Sequence, residues 1–197
     1  SYDTICHEHL EYYSLSQVKW MADKVGFKIV EIEMNDINGG SFSVTVAKEK
    51  SSFPRAANLA ALLAQEEKIG VHGGALYAAF VKRVEAAKKE FLGFLESARR
   101  EGKTVYGLGA STKGNVLLQY CGITPEVLPA IGEVNPDKFG CFTPGTLIPI
   151  LSEDEVLARK PDYLVVLPWH FRRFFVNNVK FKTTRLVFPL PHLEIIQ

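Results

Sequence analysis

The fold of this 197-residue chain is decided by one stretch, Val105-Tyr106-Gly107-Leu108-Gly109-Ala110-Ser111-Thr112-Lys113-Gly114-Asn115-Val116-Leu117-Leu118. Residues 103–108 have the β-branched and aromatic content that is typical of a buried strand. Gly107 and Gly109 permit a sharp turn and a close approach of the backbone to a ligand, because neither residue has a Cβ. Residues 115–120 have the apolar pattern of a short helix. The stretch therefore predicts a strand, a glycine-rich turn and a helix.

The polar residues of this turn predict an anion-binding site. A helix that begins here directs unpaired N–H groups and the positive end of its dipole towards the turn. Four side chains add donors in the same place: Ser111, Thr112, Lys113 and Asn115. A phosphate group is the ligand that suits such an arrangement.

The glycine spacing differs from that of two established phosphate-binding motifs. The dinucleotide fingerprint G-x-G-x-x-G would place its third glycine at Thr112. In a P-loop the glycine precedes the lysine, whereas here Lys113 precedes Gly114. The alternative interpretation is a tight strand-to-helix turn with a solvated lysine, but two glycines and four polar donors favour the ligand site.

Composition excludes several classes of protein. With 47% hydrophobic and 23% charged residues, the chain is long enough for a proper core in one or two domains. A net charge of +1 with mixed signs argues against a nucleic-acid or membrane surface. No apolar run approaches the length of a membrane span, and no signal peptide opens the chain. The three cysteines form no CxxC pair, which predicts a reduced, cytoplasmic setting without a disulfide framework or a zinc knuckle.

Residues 1–50 have the pattern expected of the C-terminal part of a larger α/β domain. Residues 1–6 look like the end of a strand. Ser14 is a predicted N-cap, with Gln17 completing a capping box, at the start of an amphipathic helix. Two strands follow, with Asn38-Gly39-Gly40 in the turn between them. One helix and an antiparallel pair cannot cover both faces of a sheet, so we expect more of this domain to precede them.

Residues 51–102 are predicted to form a helical connector. Pro54 stands near the start of its first helix, and a long amphipathic helix covers residues 75–100. We expect the apolar stripe of the long helix to lie in the core. The stripe consists of Tyr77, Val81, Val84, Phe91, Leu95 and Ala98.

Strands and helices alternate through residues 103–197. Three loops follow strands, at residues 107–115, 133–138 and 168–170. In an open parallel sheet such loops gather at the carboxyl edge, where ligands bind. We therefore predict a Rossmann-like domain over this part of the chain, with residues 186–188 as its last strand.

Three features near these loops have two interpretations each. Glu133 lies near the position of a ribose-binding acid in a dinucleotide domain, or it is a strand-end carboxylate in water. Trp169, which His170 follows, is placed to stack on a base or a sugar, or to be a buried tryptophan at a helix start. For the pair Tyr12-Tyr13, core packing is favoured over substrate contact.

Six motifs follow one another along the chain. They are His7-Glu8-His9-Leu10-Glu11-Tyr12-Tyr13-Ser14-Leu15, Asn38-Gly39-Gly40-Ser41, Gly107-Leu108-Gly109-Ala110-Ser111-Thr112-Lys113-Gly114-Asn115, Asn135-Pro136-Asp137-Lys138, Thr143-Pro144-Gly145-Thr146-Leu147-Ile148-Pro149-Ile150 and Leu167-Pro168-Trp169. In these motifs and in their order the chain resembles the sugar C-methyltransferases, and the resemblance covers almost the whole chain.

The resemblance implies a substrate, a cofactor and a domain plan. These enzymes act on nucleotide-linked keto-deoxysugars and use S-adenosylmethionine as the methyl donor. The family chain is longer, with an N-terminal zinc-binding module, a central methyltransferase domain and a C-terminal Rossmann-like domain. This chain is similar to the end of the central domain and the whole C-terminal domain. The donor site is therefore expected to lie largely outside this chain, with zinc confined to the N-terminal module and a nucleotide diphospho-sugar as the partner.

The resemblance also implies the catalytic residues, with His9 as the base and Glu8 assisting it. Methylation of a carbon next to a ketone requires a base that removes the α-proton, and histidine suits this role because its ordinary pKa is about 6.5. The family pattern is broken at Cys6, where many relatives have tyrosine, and at Asn38, where they have histidine. Both departures concern the substrate rather than the reaction class.

Without the resemblance, His7 and His9 are ordinary polar loop residues. The run His7-Glu8-His9 also lacks the histidine spacing of an H-E-x-x-H metal site, so we predict no metal site in this chain.

Two alternative functions stay open beside the methyltransferase. One is a Rossmann-type NAD(P)-binding module, which the glycines and Glu133 support but the glycine spacing opposes. The other is a non-catalytic fragment that binds a nucleotide sugar. The residues predicted to bind substrate are Gly107, Gly109, Ser111, Thr112, Lys113, Asn115, Glu133, Trp169 and His170.

Overall fold

The computed structural model describes residues 1–37 and 40–197. The chain forms two compact units. The larger unit consists of Ser1–Glu8 with Arg83–Gln197, and the smaller unit is His9–Lys82. Among the helices of the described ranges, none combines the length and the apolar character that crossing a bilayer requires.

The described part of the smaller unit contains two complete α-helices, the start of a third and a pair of antiparallel strands. In chain order the complete elements are α1 (Leu15–Lys24), β1 (Phe27–Asn35), β2 (Ser41–Lys48) and α2 (Leu59–Ile69). Ser14 caps α1 as predicted: its hydroxyl accepts from the backbone N–H of Gln17, and its own N–H donates to the Gln17 side-chain oxygen at 2.8 Å. Asn38 and Gly39 of the predicted turn lie outside the described residues.

The core of the smaller unit lies between its helices and β1. Leu15 of α1, Ile29 and Ile32 of β1, and Leu59 of α2 are buried together. No residue of β2 is fully buried. The strand pair is therefore packed chiefly through β1.

Two predictions for this unit are wrong. The side chains of Tyr12 and Tyr13 are 54% and 49% exposed, because the stretch before Ser14 belongs to neither a helix nor a strand. Pro54 lies ahead of the first connector helix, which begins only at Leu59.

The long helix, α3 (Gly74–Arg100), forms as predicted, but only its second half is core. Phe91, Leu95 and Ala98 are buried. Tyr77 and Val81 lie on the same predicted stripe, yet more than half of each side chain is exposed, so that part of the core prediction is wrong. The periodicity identified the helix, whereas the extent of its buried face depends on what packs against it.

The larger unit contains a six-stranded sheet with helices between its strands. After α3 the elements are β3 (Val105–Leu108), α4 (Thr112–Cys121), β4 (Ile131–Glu133), β5 (Ile150–Ser152), α5 (Glu153–Ala158), β6 (Tyr163–Val166), α6 (Arg172–Asn177), β7 (Arg185–Phe188) and β8 (Glu194–Ile196). The strand order is β5-β4-β3-β6-β7-β8, and every neighbouring pair is parallel except β7 and β8. The predicted α/β class with a mostly parallel sheet is confirmed.

The strand order reverses between β3 and β6. From β3 the chain passes to β4 and β5 on one side, and it then returns to the other side of β3 with β6. In open parallel sheets, the crevice outside the carboxyl ends of strands at such a reversal is where ligands bind. The glycine-rich turn follows β3, and Trp169 and His170 follow β6. Topology thus places these two loops at the expected position of a ligand.

Three further differences from the predictions concern short segments. Residues 1–6 are not the end of a strand: Tyr2–Thr4 form a 3-10 turn, and the side chains of Tyr2 and Asp3 are buried. Residues 186–188 are not in the last strand, because β8 follows. The sequence also gave no indication of β5. Strands of three residues, such as β5 and β8, contain too few positions for a recognisable alternation.

Packing within the protein explains why the turn after β3 is rich in glycine. Gly109 has a φ of +81°, and an added Cβ would lie 2.7 Å from the ring of Pro168. At Gly114 an added Cβ would lie 2.8 Å from Cβ of Leu167, and Gly107 is equally crowded by β4. From the sequence we expect a ligand to need the space beside these glycines, whereas in the structure other residues of the protein fill it. The loops after β3 and β6 lie against each other.

Replacing Gly109 with alanine should therefore lower stability whether or not a ligand is present. The strained φ and the overlap with Pro168 should together cost about 2–4 kcal/mol of the free energy of unfolding. Gly93→Ala is the matched control, because Gly93 lies in α3 with nothing near its missing Cβ. It should raise stability by about 0.5–1 kcal/mol. Urea denaturation of both variants measures this, and equal stabilities would contradict the packing explanation.

Candidate functional site

The turn after β3 leads directly into a capped helix. Ser111 is the N-cap of α4, and its hydroxyl oxygen accepts from the N–H of Gly114 at 3.0 Å. Thr112 is exposed, while Lys113 and Asn115 are partly buried. The four predicted donors thus surround the helix N-terminus, although the Ser111 oxygen is occupied by its capping bond.

A buried carboxylate, that of Glu133, is hydrogen-bonded to this turn. Glu133, at the end of β4, is only 7% exposed. Its Oε2 accepts from the N–H of Ala110 at 2.9 Å and from Nζ of Lys138 at 3.4 Å. Its Oε1 accepts from the N–H groups of Val134 and Asn135, at 2.8 and 3.1 Å. Both oxygens therefore have partners within the protein.

Lys138 completes the arrangement at the carbonyl end of the same residue, Ala110. Its ammonium donates to the carbonyl oxygen of Ala110 at 2.8 Å. The residue that precedes the N-cap is thus held by its N–H through Glu133 and by its C=O through Lys138. Burial acts to raise the pKa of Glu133, but the N–H groups of Asn135 and Val134 and the nearby ammonium outweigh it, so the pKa lies below its usual value.

The loop after β6 is linked to the N-terminal segment of the chain, which is Ser1–Glu8. The indole N–H of Trp169 donates to Oδ2 of Asp3 at 2.7 Å, and Asp3 is 2% exposed. His170 is partly buried, and its Nδ1 has no hydrogen-bond partner in the described part of the chain. Burial lowers the pKa of His170, the charge of Lys113 lowers it further, and Asp3 opposes them. Trp169 is therefore used in an internal contact, and His170 lies within the electrostatic influence of the helix N-terminus.

A cleft of about 490 Å³ lies beside α4. The side chain of Gln119 donates to the carbonyl oxygen of Pro144 at 2.8 Å, which holds the loop after Thr143 against the helix. Both α4 and the N-terminal segment contribute walls, so polar groups from distant parts of the sequence meet here. The lining residues are Ile5, Cys6, His7, Thr112, Asn115, Val116, Gln119, Tyr120 and Pro144.

The predicted site residues fall into two groups. All nine predicted substrate-binding residues belong to the larger unit and lie in or beside its loops after β3, β4 and β6. Glu8 is the last residue of the N-terminal segment of that unit, whereas His9 is the first residue of the smaller unit. Both are exposed, and the His9 ring lies edge-on to Tyr12, with 6.2 Å between ring centres. Within the described ranges, no group of three or more His, Cys, Asp or Glu residues is arranged to hold a metal ion.

Sequence reasoning missed two residues of this region. Lys138 is named above only within a family motif. Its position five residues after Glu133, across one loop, is the feature of the sequence that could have indicated their ion pair. Asp3 had no signal in the sequence, because its partner Trp169 lies 166 positions away.

Glu133→Gln should loosen the turn, because an amide cannot accept from all four donors. We expect a loss of about 1–3 kcal/mol at neutral pH. Since the folded pKa of Glu133 is lowered, its contribution is present above the unfolded value of 4.5 and disappears as the pH falls through the folded pKa. The stability difference between wild type and variant should therefore shrink in acid. Denaturation at several pH values tests this, with the exposed Glu96→Gln as control; a difference that does not change with pH would contradict it.

Comparison with known proteins agrees with this architecture. The family model of the C-methyltransferase C-terminal domain matches residues 36–191, which include the turn after β3, Glu133 and the loop after β6. The chain is also 30% identical, over 198 residues, to the C-methyltransferase NovU of Streptomyces niveus. That alignment covers 99% of this chain and 47% of the relative, so the chain spans about half the length of the curated relative it matches. The chain belongs to the C-methyltransferase C-terminal domain family.

Proposed function

We propose that this chain is the substrate-binding and base-bearing portion of an S-adenosylmethionine-dependent C-methyltransferase. The substrate is a nucleotide diphospho-sugar, and the methyl group is added to a carbon next to its ketone. His9 is the base, Glu8 assists it, and the loops at the carboxyl edge of the sheet bind the nucleotide diphospho-sugar.

One observation carries this proposal. His7, the first residue of the run His7-Glu8-His9, lines the same cleft as Thr112 and Asn115 at the start of α4. A helix N-terminus attracts phosphate, because its N–H groups and dipole favour negative charge. A cleft with a helix N-terminus on one wall and His7 on another suits a charged substrate, and Glu8 follows His7 directly in the sequence.

The chemistry assigned to the two catalytic residues is proton transfer. A neutral histidine ring nitrogen at His9 takes the proton from the carbon next to the ketone, and the electron pair moves onto the ketone oxygen to form an enolate. The carboxylate of Glu8 orients the ring and stabilises the imidazolium that results. The carbon of the enolate is then nucleophilic.

The residues of this chain do not fit a complete site for the methyl donor. The described residues between 9 and 50 form one α-helix and an antiparallel strand pair. A donor site of the expected kind requires a strand with a glycine-rich loop and an acidic residue for the ribose. We therefore assign donor binding to a part of the enzyme outside this chain, together with any zinc-binding module.

The dinucleotide-binding alternative is opposed by the surroundings of Glu133. A ribose-binding acid needs a carboxylate oxygen free to accept from the sugar hydroxyls. Both oxygens of Glu133 already accept two hydrogen bonds each from within the protein. Calorimetric titration with a nucleoside diphosphate, a nucleotide diphospho-sugar and NAD tests the choice. We expect binding of the first two and none of NAD, and the reverse order would overturn the proposal.

Lys113→Ala should weaken binding of the nucleotide diphospho-sugar more at low salt than at high salt. The lost attraction between the ammonium and the phosphates is largely screened Coulomb energy, whose range falls from about 30 Å at 0.01 M salt to about 10 Å at 0.1 M. Calorimetry at both salt concentrations measures the effect, with Lys89→Ala on the exposed face of α3 as control. A folded Lys113→Ala protein with wild-type affinity would contradict phosphate binding by Lys113 and favour the interpretation of this stretch as a structural turn.

His9→Asn should abolish proton exchange at the substrate carbon while leaving affinity for the nucleotide sugar nearly unchanged. In an enzyme that joins this chain to its donor domain, loss of the base should lower the rate of methyl transfer about 10²–10⁴-fold. Glu8→Gln should lower it less, and His192→Asn, at an exposed histidine, serves as the control. Deuterium incorporation followed by NMR is the measurement, and exchange at the wild-type rate in the His9 variant would remove His9 from this role.

A further inference from the structure

The segment that leads to the proposed catalytic residues is attached to the larger unit at two adjacent side chains. The Tyr2 ring packs beside Tyr120 of α4, with 5.1 Å between ring centres, and its hydroxyl lies 3.9 Å from Sγ of Cys121. The carboxylate of Asp3 accepts from the Trp169 indole at 2.7 Å. The segment is thus bound to α4 through one residue and to the loop after β6 through the next.

The contact of Asp3 is more than ordinary packing. A carboxylate that is 2% exposed is costly to bury unless it is hydrogen-bonded, and the indole N–H is the single donor that tryptophan possesses. A bond to an ionised acceptor is roughly twice as strong as one between neutral groups. The second carboxylate oxygen of Asp3, Oδ1, is buried without a hydrogen-bond partner among the described residues. The Trp169 bond therefore carries most of the compensation that this carboxylate receives.

The attachment lies close along the chain to the proposed catalytic residues. The N–H of Ile5 donates to the carbonyl of Tyr2 at 3.0 Å, which closes the turn immediately after Asp3. Four residues of extended chain span at most about 14 Å, so fixing Asp3 keeps His7 within that reach of the carboxyl edge of the sheet. His7 in turn lines the cleft beside α4.

We infer that Asp3 is a positioning residue, which holds the segment bearing His7 and Glu8 against the loop after β6 through its hydrogen bond to Trp169. The functional part of this inference rests on the proposed function, because it assumes that Glu8 and the residue that follows it act in catalysis. The structural part does not. Asp3 itself touches no proposed reacting atom.

Backbone order in residues 3–8 of this chain tests the structural part. We expect ¹⁵N relaxation to give order parameters near 0.85 in the wild type, falling towards 0.6 or below when the bond is removed by Asp3→Leu or Trp169→Phe. Asp3→Asn keeps an acceptor oxygen of the same shape and should restore most of the order. Trp20→Phe, at a tryptophan of α1 whose side chain is 63% exposed, should change nothing in this segment.

Three results would overturn the inference. The first is a segment that is already mobile in the wild type. The second is full order in both Asp3→Leu and Trp169→Phe. The third is an Asp3→Asn variant as disordered as Asp3→Leu, since that would make the acceptor irrelevant. A melting temperature for each variant separates local loosening from global unfolding.

Kinetics in the complete enzyme test the functional part. Asp3→Leu should lower kcat for methyl transfer by roughly 10- to 100-fold, because small misplacements of catalytic groups have effects of that size. KM for the nucleotide sugar should stay within about threefold, since the lost contact acts on the transition state rather than on substrate binding. An unchanged kcat in a variant with a disordered segment would refute positioning. A wild-type enzyme without methyl transfer would instead refute the proposed function and leave the order parameters standing.

Discussion

The carboxyl edge of the sheet depends on one buried carboxylate. Glu133 ends β4, and both of its oxygens accept from donors in the neighbouring loops. The N–H of Ala110 donates to Glu133, and the carbonyl of the same residue accepts from Lys138. The carboxylate of Glu133 is buried and would be costly to keep charged without these partners, whereas the Lys138 side chain is 43% exposed. Together they fix Ala110, the residue before the N-cap of α4, and thereby set where the helix begins and where its N–H groups point.

Two glycines also constrain the turn after β3, through contacts with the loop after β6. Gly109 allows Pro168 to lie against the turn, and Gly114 allows Leu167 to approach α4. The loop after β6 is thus close to the loop after β3 at the reversal of strand order, and the tryptophan that follows Pro168 is brought within reach of the N-terminal segment. A ligand at this edge would meet a surface whose geometry is already established by internal contacts. Such preorganisation lowers the ordering cost of binding.

Local signals made much of the fold predictable from the sequence. The capping box at Ser14, the period of α3 and the buried strand β3 each depend on residues that are close in sequence, so a short stretch is enough to recognise them. Contacts between distant residues were not visible in this way. Residues 1–6 were misassigned because burial of Tyr2 and Asp3 against α4 and the loop after β6 outweighs any local preference.

The place where the loops after the parallel strands meet could be predicted from the sequence, but the internal contacts of its residues could not. A strand, a glycine-rich turn and a helix in an alternating pattern specify where polar groups gather, because topology alone brings the carboxyl ends of parallel strands together. The role of each group depends on which hydrogen-bond partners lie next to it in the folded protein. Glu133 and Trp169 are residue types that often contact ligands, yet each makes its hydrogen bonds with the protein. A residue suited to binding a sugar is equally suited to holding a loop, and only the three-dimensional arrangement distinguishes the two.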